Sequence, residues 1–391
     1  MFKNIIKYFN QYKVLQTIDY IFGRVFLIFI PLIYIFKFKF TNYKNYKDRI
    51  VVVKLLGGGT LLKAFPVLLE IKRKFPKKKF VLIGTKQTIS FAKTINIFDE
   101  INEISFTSII YFFKTSFTIF KKNLHSECII NLESNSNLMI IYCFFMFCQT
   151  FISFYRNNIF AKILLKNKIY EDHDQNIFNS IKKLLGFFAI DFKQSIFDKS
   201  YDFLINKCGF NKHSKIKKGV ISISNFSSGL GPEREFSNYD FSILIDRKYL
   251  KEVHTIKIFG SKEDLEKSYE LTKYLKLAHK KINIINCVGK FSLKKSIQEI
   301  IKTDKFISID SGLNNFLVLL KMDIDSYWGP TNPYKLLIPF NKNNSSIFYS
   351  NLVCSPCIHN KIIPPCKGNN LCMKSFTSKI DFNLVNKWKK K

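Results

Sequence analysis

The chain has 391 residues, 47% of them apolar, enough to bury two ordinary domain cores, and a formal net charge of +33. Only six of its 62 basic residues are arginine (Arg24, Arg49, Arg73, Arg156, Arg234 and Arg247). Readers of bases and phosphates lean on arginine, so this lysine-dominated charge argues against specific nucleic-acid binding and favours attraction to an anionic membrane surface.

Residues 1–47 form a hydrophobic and basic leader. Val25 to Phe36 (VFLIFIPLIYIF) is uncharged but short for a membrane span, and no small-residue cleavage site follows it. Lys3, Lys7 and Lys13 precede it, and Lys37, Lys39, Lys44, Lys47 and Arg49 follow. Cations on both sides set no orientation, so a membrane-proximal helix lying in the interface is expected over a spanning anchor, with a helix packed on the first domain as the alternative.

From residue 48 onward, strand-length apolar runs alternate with helical ones. DRIVVVKLL, KKFVLIG, EISF, ECIINLE and FISFY read as strands, and LLKAFPVLLEIKRKF, ISFAKTINIF and NLMIIYCFFMF as the helices between them. The uncharged stretch 138–155 is read as a buried crossover helix and a short strand, not as a membrane span. After a charged helical middle, GVISISN, TIKIFG, INIINCVG, KFISID and DSYWG form a second set of strands. This alternation predicts the α/β class with two doubly wound parallel sheets in two Rossmann-like domains, 48–212 and 213–376, the boundary falling in the polar stretch 211–218. Residues 377–391 are expected to form a helix returning to the first domain.

Cys128, Cys143, Cys148, Cys208 and Cys287 stand singly and read as small buried thiols, which fits a cytoplasmic location. Cys354, Cys357, Cys366 and Cys372 are closer together and leave three readings open: tetrahedral zinc, reduced structural thiols, or disulfides. Zinc is not the favoured reading. The histidines form no metal-spaced set.

Two strand-to-helix corners carry the candidate chemistry. Gly57, Gly58 and Gly59 follow the first strand and precede a helix beginning near Thr60, so backbone can approach a sugar or phosphate. This is neither a GxGxxG loop nor a Walker loop. In the second half, Asp310 ends a strand, Ser311 and Gly312 turn, and LNNFLVLL opens a helix whose free N–H groups favour anions.

The DSGLNN corner (310–315), the WGPTNP loop (328–333), the CSPC segment running on to Cys372-Met373, and residues 51–84 together resemble the glycosyltransferase family of the bacterial lipopolysaccharide ADP-heptose heptosyltransferases. The likeness covers roughly residues 48–376. It implies a GT-B fold, two Rossmann-like domains facing a cleft, with the acceptor on the first and the nucleotide sugar on the second. It implies a metal-independent inverting transfer with no required cofactor, onto a lipid-linked or polysaccharide acceptor at the cytoplasmic face of the inner membrane.

The same likeness suggests roles for individual residues. Ser227, Ser228 and Arg234 would contact the donor phosphates, Arg234 standing where relatives carry lysine. Asp310, Ser311, Gly312, Asn314 and Asn315 would hold the diphosphate and sugar, and Gly329, Pro330 and Thr331 would shape the base-sugar pocket. Asp310 as a helix N-cap, and Arg234 paired with Glu233 or Glu235, are the structural alternatives. In the family an Asp follows the last glycine of the first loop and is thought to act as base, whereas this chain has Thr60, which cannot do so near neutral pH. Glu133 is the first substitute, with an acceptor-binding or a purely structural role equally open. A catalytically impaired scaffold that binds nucleotide or sugar in an envelope-polymer complex is the alternative function.

Overall fold

The structure is a computed structural model that describes residues 19, 45–106, 108–156, 161–162, 165–172, 174–210, 216–228, 231–339, 345–358, 366 and 369–377. The run Val25 to Phe36, residues 211–215 and the expected helix beyond Thr377 lie outside these residues. The chain divides into two compact units between Ile196 and Phe197.

The first unit runs β1 (Lys47–Lys54), α1 (Gly58–Lys74), β2 (Lys79–Gly84), α2 (Lys86–Ile95), β3 (Glu100–Glu103), α3 (Ile109–Asn123), β4 (Ser126–Asn131), α4 (Asn137–Phe144), β5 (Thr150–Tyr155), β6 (Asn167–Tyr170) and α5 (Ile177–Lys182). Its six strands are all parallel, in the order β3-β2-β1-β4-β5-β6. Central β1 and β2 read as unbroken apolar runs because both faces are covered; Val51, Val52, Val53, Val81 and Leu82 are fully buried. Met139, Ile140, Cys143 and Phe144 of α4 join that core, so the apolar stretch 138–155 is a buried helix followed by β5, as expected. No described helix is long and apolar enough to cross a membrane. Asp19, in the leader, caps α4: its carboxylate accepts from Ser136 Oγ and from the N–H groups of Asn137 and Leu138.

The second unit begins with α6 (Ile196–Asn206), which starts at the division, then β7 (Lys217–Ser224), α7 (Asn238–Tyr249), β8 (Thr255–Ile258), α8 (Leu265–Ala278), β9 (Asn283–Asn286), α9 (Leu293–Ile300) and β10 (Thr303–Ile309). It closes with α10 (Gly312–Leu319), β11 (Ile324–Trp328), α11 (Pro333–Leu336), β12 (Ser345–Tyr349) and α12 (Leu371–Lys374). Its six parallel strands lie in the order β12-β11-β10-β7-β8-β9, which read from β7 as a first strand is the same 3-2-1-4-5-6 order as the first unit. The α/β class with two Rossmann-like doubly wound sheets is therefore borne out.

Some elements differ from the sequence reading. The strand expected at EISF is instead Glu100–Glu103, and β6, β12 and α3 were not anticipated. The compact units part at 196/197, ahead of the 212/213 boundary read from composition. Contacts explain the offset: Asp198 pairs with Lys321 at 3.0 Å, Lys321 lies over the Tyr201 ring, and Phe210 meets Phe316 edge-on, so α6 packs on the second unit.

In each topology the strand order reverses between the first and fourth strands, and ligands of such sheets bind beyond the strand C-termini at that switch point. The points lie at β1/β4 in the first unit and at β7/β10 in the second.

Glu100 ties the C-terminus of α3 to this framework, meeting Lys122 and Lys79 at 2.7 Å each and Asn102 at 3.0 Å. Burial alone would raise its carboxyl, but hydrogen bonds from Lys122, Lys79 and Asn102 outweigh it and hold the group at about 2, from an ordinary 4.5. A depressed carboxylate stabilises the fold above its unfolded pKa, and that stability is lost as pH falls toward the folded one. Glu100→Gln should therefore lower stability in urea titrations at pH 7, and the gap to the parent should close between pH 4.5 and about 2.

Candidate active site

At the first switch point the chain leaves β1 through Leu55 and Leu56 into the glycines. Gly57 has φ +77°, a left-handed conformation that glycine adopts without steric cost, and it caps α1. A Cβ on Gly58 would come within 2.1 Å of the Phe91 ring. Close packing of α2 on this corner thus accounts for Gly58, and backbone geometry for Gly57. Gly59 and Thr60 are half-exposed in the first turn of α1, with Thr60 N–H donating to Gly57 O.

Glu133 reaches this corner from the end of β4, as expected, and its carboxylate is engaged on both oxygens. Oε1 accepts from the N–H of Leu55 at 2.6 Å and of Leu56 at 2.8 Å, while Oε2 accepts from Lys54 Nζ at 3.0 Å. Lys54 is buried and also donates to Leu132 O. From the other side, the hydroxyls of Thr85 and Thr88 donate to Leu55 O at 2.6 and 2.9 Å. Both polar groups of the Leu55 backbone are therefore held by side chains, which fixes the approach to the glycines. Of the three roles open for Glu133, this geometry builds the structural one directly: a clip between β4 and the loop.

At the second switch point the loops after β7 and β10 are joined. Arg234, in the turn Pro232–Arg234, donates through Nη1 to Asp310 O at 3.0 Å and to Asp310 Oδ2 at 3.3 Å. Its partner is thus Asp310, and not Glu233 or Glu235. Glu235 instead accepts from Ser227 N–H and Oγ at 2.9 and 2.6 Å, and pairs with Lys267 at 2.6 Å. Asn225 and Phe236 exchange two 2.9 Å bonds between the Asn225 amide and the Phe236 backbone, closing the intervening loop.

The N-cap of α10 is Ser311, whose hydroxyl accepts from Asn314 N–H at 3.2 Å, so Asp310 is not the cap. Asp310 stands just ahead of the helix with its carboxylate turned to Arg234. Gly312 opens the helix, and its neighbours Asn314 and Asn315 are buried. Asn314 Oδ1 accepts from Ser308 Oγ and Asn315 Nδ2 donates to Ser311 O, but Asn314 Nδ2 and Asn315 Oδ1 are buried with no hydrogen-bond partner among the described residues. Thr331 Oγ1 is in the same state. Uncompensated buried polar atoms are costly in a packed interior, and they mark this corner and the WGPTNP loop.

Beyond β8, Ser261 and Asp264 form a reciprocal cap, Asp264 Oδ2 accepting from Ser261 N–H and Oγ at 2.9 and 2.7 Å. Ser228, at φ +51°, reaches the same oxygen at 3.5 Å. Burial raises the Asp264 carboxyl, Ser261 opposes this, and the Glu235 charge adds to it. Sequence reading missed Asp264 and Lys267 and gave Glu235 only as a partner for Arg234; the S-x-x-D spacing at 261–264 was the available signal for Asp264.

Gly329 is a packing requirement. A Cβ there would lie 2.5 Å from Met373 Sδ and 2.8 Å from Cys372 Sγ, so the WGPTNP loop and the Cys-Met pair interlock. Pro330 O accepts from Cys357 N–H at 3.0 Å. All nine cysteines are free thiols, which sets aside the disulfide reading of Cys354, Cys357, Cys366 and Cys372. Burial, together with the other three thiols, pushes Cys372 up to about 12, the mark of a packed, unreactive thiol. No group of three or more potential ligands among the described residues is arranged to hold a metal ion.

The family model "Glycosyltransferase family 9 (heptosyltransferase)" matches residues 178–366. Over 122 residues the chain is 30% identical to lipooligosaccharide heptosyltransferase 2 of Campylobacter jejuni, a stretch covering 31% of this chain and 37% of that relative. The chain thus matches little more than a third of that relative's length. Among solved structures, E. coli ADP-heptose lps heptosyltransferase II has a TM-score of 0.58 at 14% identity, over 88% of this chain and 100% of that one. An E. coli heptosyltransferase solved with ADP gives 0.58 at 13%, over 77% and 92%. A glycosyl transferase family 9 structure from Veillonella parvula gives 0.56 at 14%, over 79% and 87%. At such identities the structural likeness speaks for the fold. The family match, with the DSGLNN and WGPTNP motifs inside it, makes residues 178–366 similar to glycosyltransferase family 9 (heptosyltransferase).

Proposed function

We propose that the protein is a metal-independent, inverting glycosyltransferase that moves a heptose-like sugar from a nucleoside diphosphate donor to a lipopolysaccharide or other cell-envelope glycan. We place it at the cytoplasmic face of the inner membrane, held there by anionic lipid. The observation that carries the reading is the Arg234–Asp310 contact at the β7/β10 switch point, beside the N-terminus of α10. The relatives reported above carry transferase names, which favours turnover over the scaffold reading.

The chemistry is a displacement. An acceptor oxygen forms a bond to the anomeric carbon as the bond to the diphosphate breaks, its electron pair leaving with the diphosphate and the acceptor's proton passing to a base. Arg234 and the N–H groups of Ser311 and Gly312 supply positive charge where the leaving group gains negative charge. Ser227 and Ser228 belong to the same donor side, as do Asn314, Asn315 and Thr331 with their buried polar atoms. Asp310 holds Arg234 in place and can accept from a sugar hydroxyl. Glu133 acts as the positioning residue of the Gly57–Thr60 loop on the acceptor side, since donors already occupy both of its oxygens.

Incubating the purified chain with a panel of nucleoside diphosphate sugars should release nucleoside diphosphate slowly, unaffected by chelators. Asp310→Ala and Arg234→Ala should each lower that release roughly 100-fold. Release that survives both substitutions, or that needs an added divalent cation, contradicts the assignment; tight donor binding with no release would return the scaffold reading.

Glu133→Ala strands a buried ammonium and two N–H groups, so it should destabilise the protein by about 3–5 kcal/mol in urea unfolding, whereas Glu133→Gln, which keeps one acceptor, should lose about 1–3 kcal/mol. A base with no structural duty would instead lose activity at unchanged stability.

A further inference from the structure

The outward face of α3 does not fit a crossover helix whose only task is to cover a sheet. Its inner side meets the core through Ile119, Phe112 and Phe120, with Tyr142 donating to Ser116 O at 2.7 Å. The other side should then be polar. Instead Ile110 is 78% exposed, Phe113 66%, Phe117 59% and Tyr111 58%, with Phe106 exposed just before the helix. Ile110, Phe113 and Phe117 recur at helical spacing and form one stripe. Lys114 and Lys121 adjoin it, the Lys121 ammonium 4.4 Å from the Phe117 ring centroid. Lys122, Lys79 and Lys47 extend the basic border at the helix C-terminus.

We propose that α3 is a membrane-docking helix that lays Ile110, Phe113 and Phe117 into the interface of an anionic bilayer while its lysines engage lipid phosphates. This rests on the membrane-associated reading above and assigns the surface responsible. Aromatic and aliphatic side chains on one stripe, flanked by lysine, are the composition of interfacial helices. Charge selects the occupant: a second copy of a chain carrying +33 would bring like charge against Lys114 and Lys121, whereas an anionic surface is complementary. The Lys122–Glu100 and Lys79–Glu100 pairs anchor the helix end, so the stripe is presented on a fixed support.

The test uses the full chain carrying Phe117→Trp, compared with its parent to subtract native tryptophan emission. Vesicles of phosphatidylglycerol with phosphatidylcholine, some with brominated acyl chains, should shift the introduced emission to the blue and quench it; pure phosphatidylcholine should do neither. The double variant Phe113→Glu/Phe117→Glu should lower partitioning onto the anionic vesicles at least tenfold. Tyr269→Glu/Leu277→Glu, on the exposed side of α8, should leave it unchanged. Undiminished vesicle binding by the α3 variant, with no quenching of the introduced tryptophan, would overturn the assignment to α3 and leave membrane association to another segment such as the leader. Failure of the parent to bind any vesicle would overturn both, and self-association through this stripe in the absence of lipid would overturn the assignment to α3.

Discussion

A single guanidinium joins the two loops that define the second switch point. Arg234 reaches across from the turn after β7 to the carbonyl and carboxylate of Asp310, where β10 gives way to α10. Parallel sheets open a crevice at this place because the chain departs to opposite faces from β7 and β10, and nothing in the sheet itself holds the departing loops together. The ion pair does so, and it places fixed positive charge beside helix N–H groups. Around it, Glu235 fastens Ser227 to Lys267, and Ser311 caps the helix. On the proposed function, a corner braced in this way would meet a diphosphate with little reorganisation, the condition under which electrostatic stabilisation is most effective.

The first unit uses the same strand order with the charges placed the same way. There the carboxylate comes from the fourth strand, in Glu133, and the ammonium from the first, in Lys54. The pair is spent on the loop backbone, with Thr85 and Thr88 completing the clamp. This fixes the approach of the chain to Gly57, Gly58, Gly59 and Thr60. Two copies of one topology thus carry two braced corners, the second proposed for the donor and the first for the acceptor. Membrane docking through α3 would keep a lipid-linked acceptor close to the first unit.

Much of this was legible in the sequence, and the gaps have physical causes. Central strands such as IVVV at 50–53 and FISI at 306–309 are buried on both faces and announce themselves as apolar runs. β6 (NKIY) and β12 (SSIFY) are edge strands, short and partly polar, and carry no such signal. The helix α3 went unread although polar Lys114, Thr115, Thr118, Lys121 and Lys122 interrupt its apolar residues, and it leaves Ile110, Phe113 and Phe117 exposed. Asp310, Ser311 and Gly312 were readable because a strand end, a turn and a helix start are contiguous in sequence. The partners of Glu133 and Arg234 were not, since Lys54 lies 79 residues from Glu133 and Asp310 lies 76 from Arg234, separations that only the sheet topology brings together. Gly329 was read as a pocket former, and its packing against Cys372 and Met373 was not legible because those residues lie far along the chain.

The most direct measurement is a crystal structure of the protein with a bound nucleoside diphosphate. The diphosphate should sit at the N-terminus of α10, accepting from the N–H groups of Ser311 and Gly312, with the Arg234 guanidinium in contact with its oxygens. A diphosphate bound elsewhere in the second unit, or one seated at this corner with Arg234 still turned wholly to Asp310, would contradict the account.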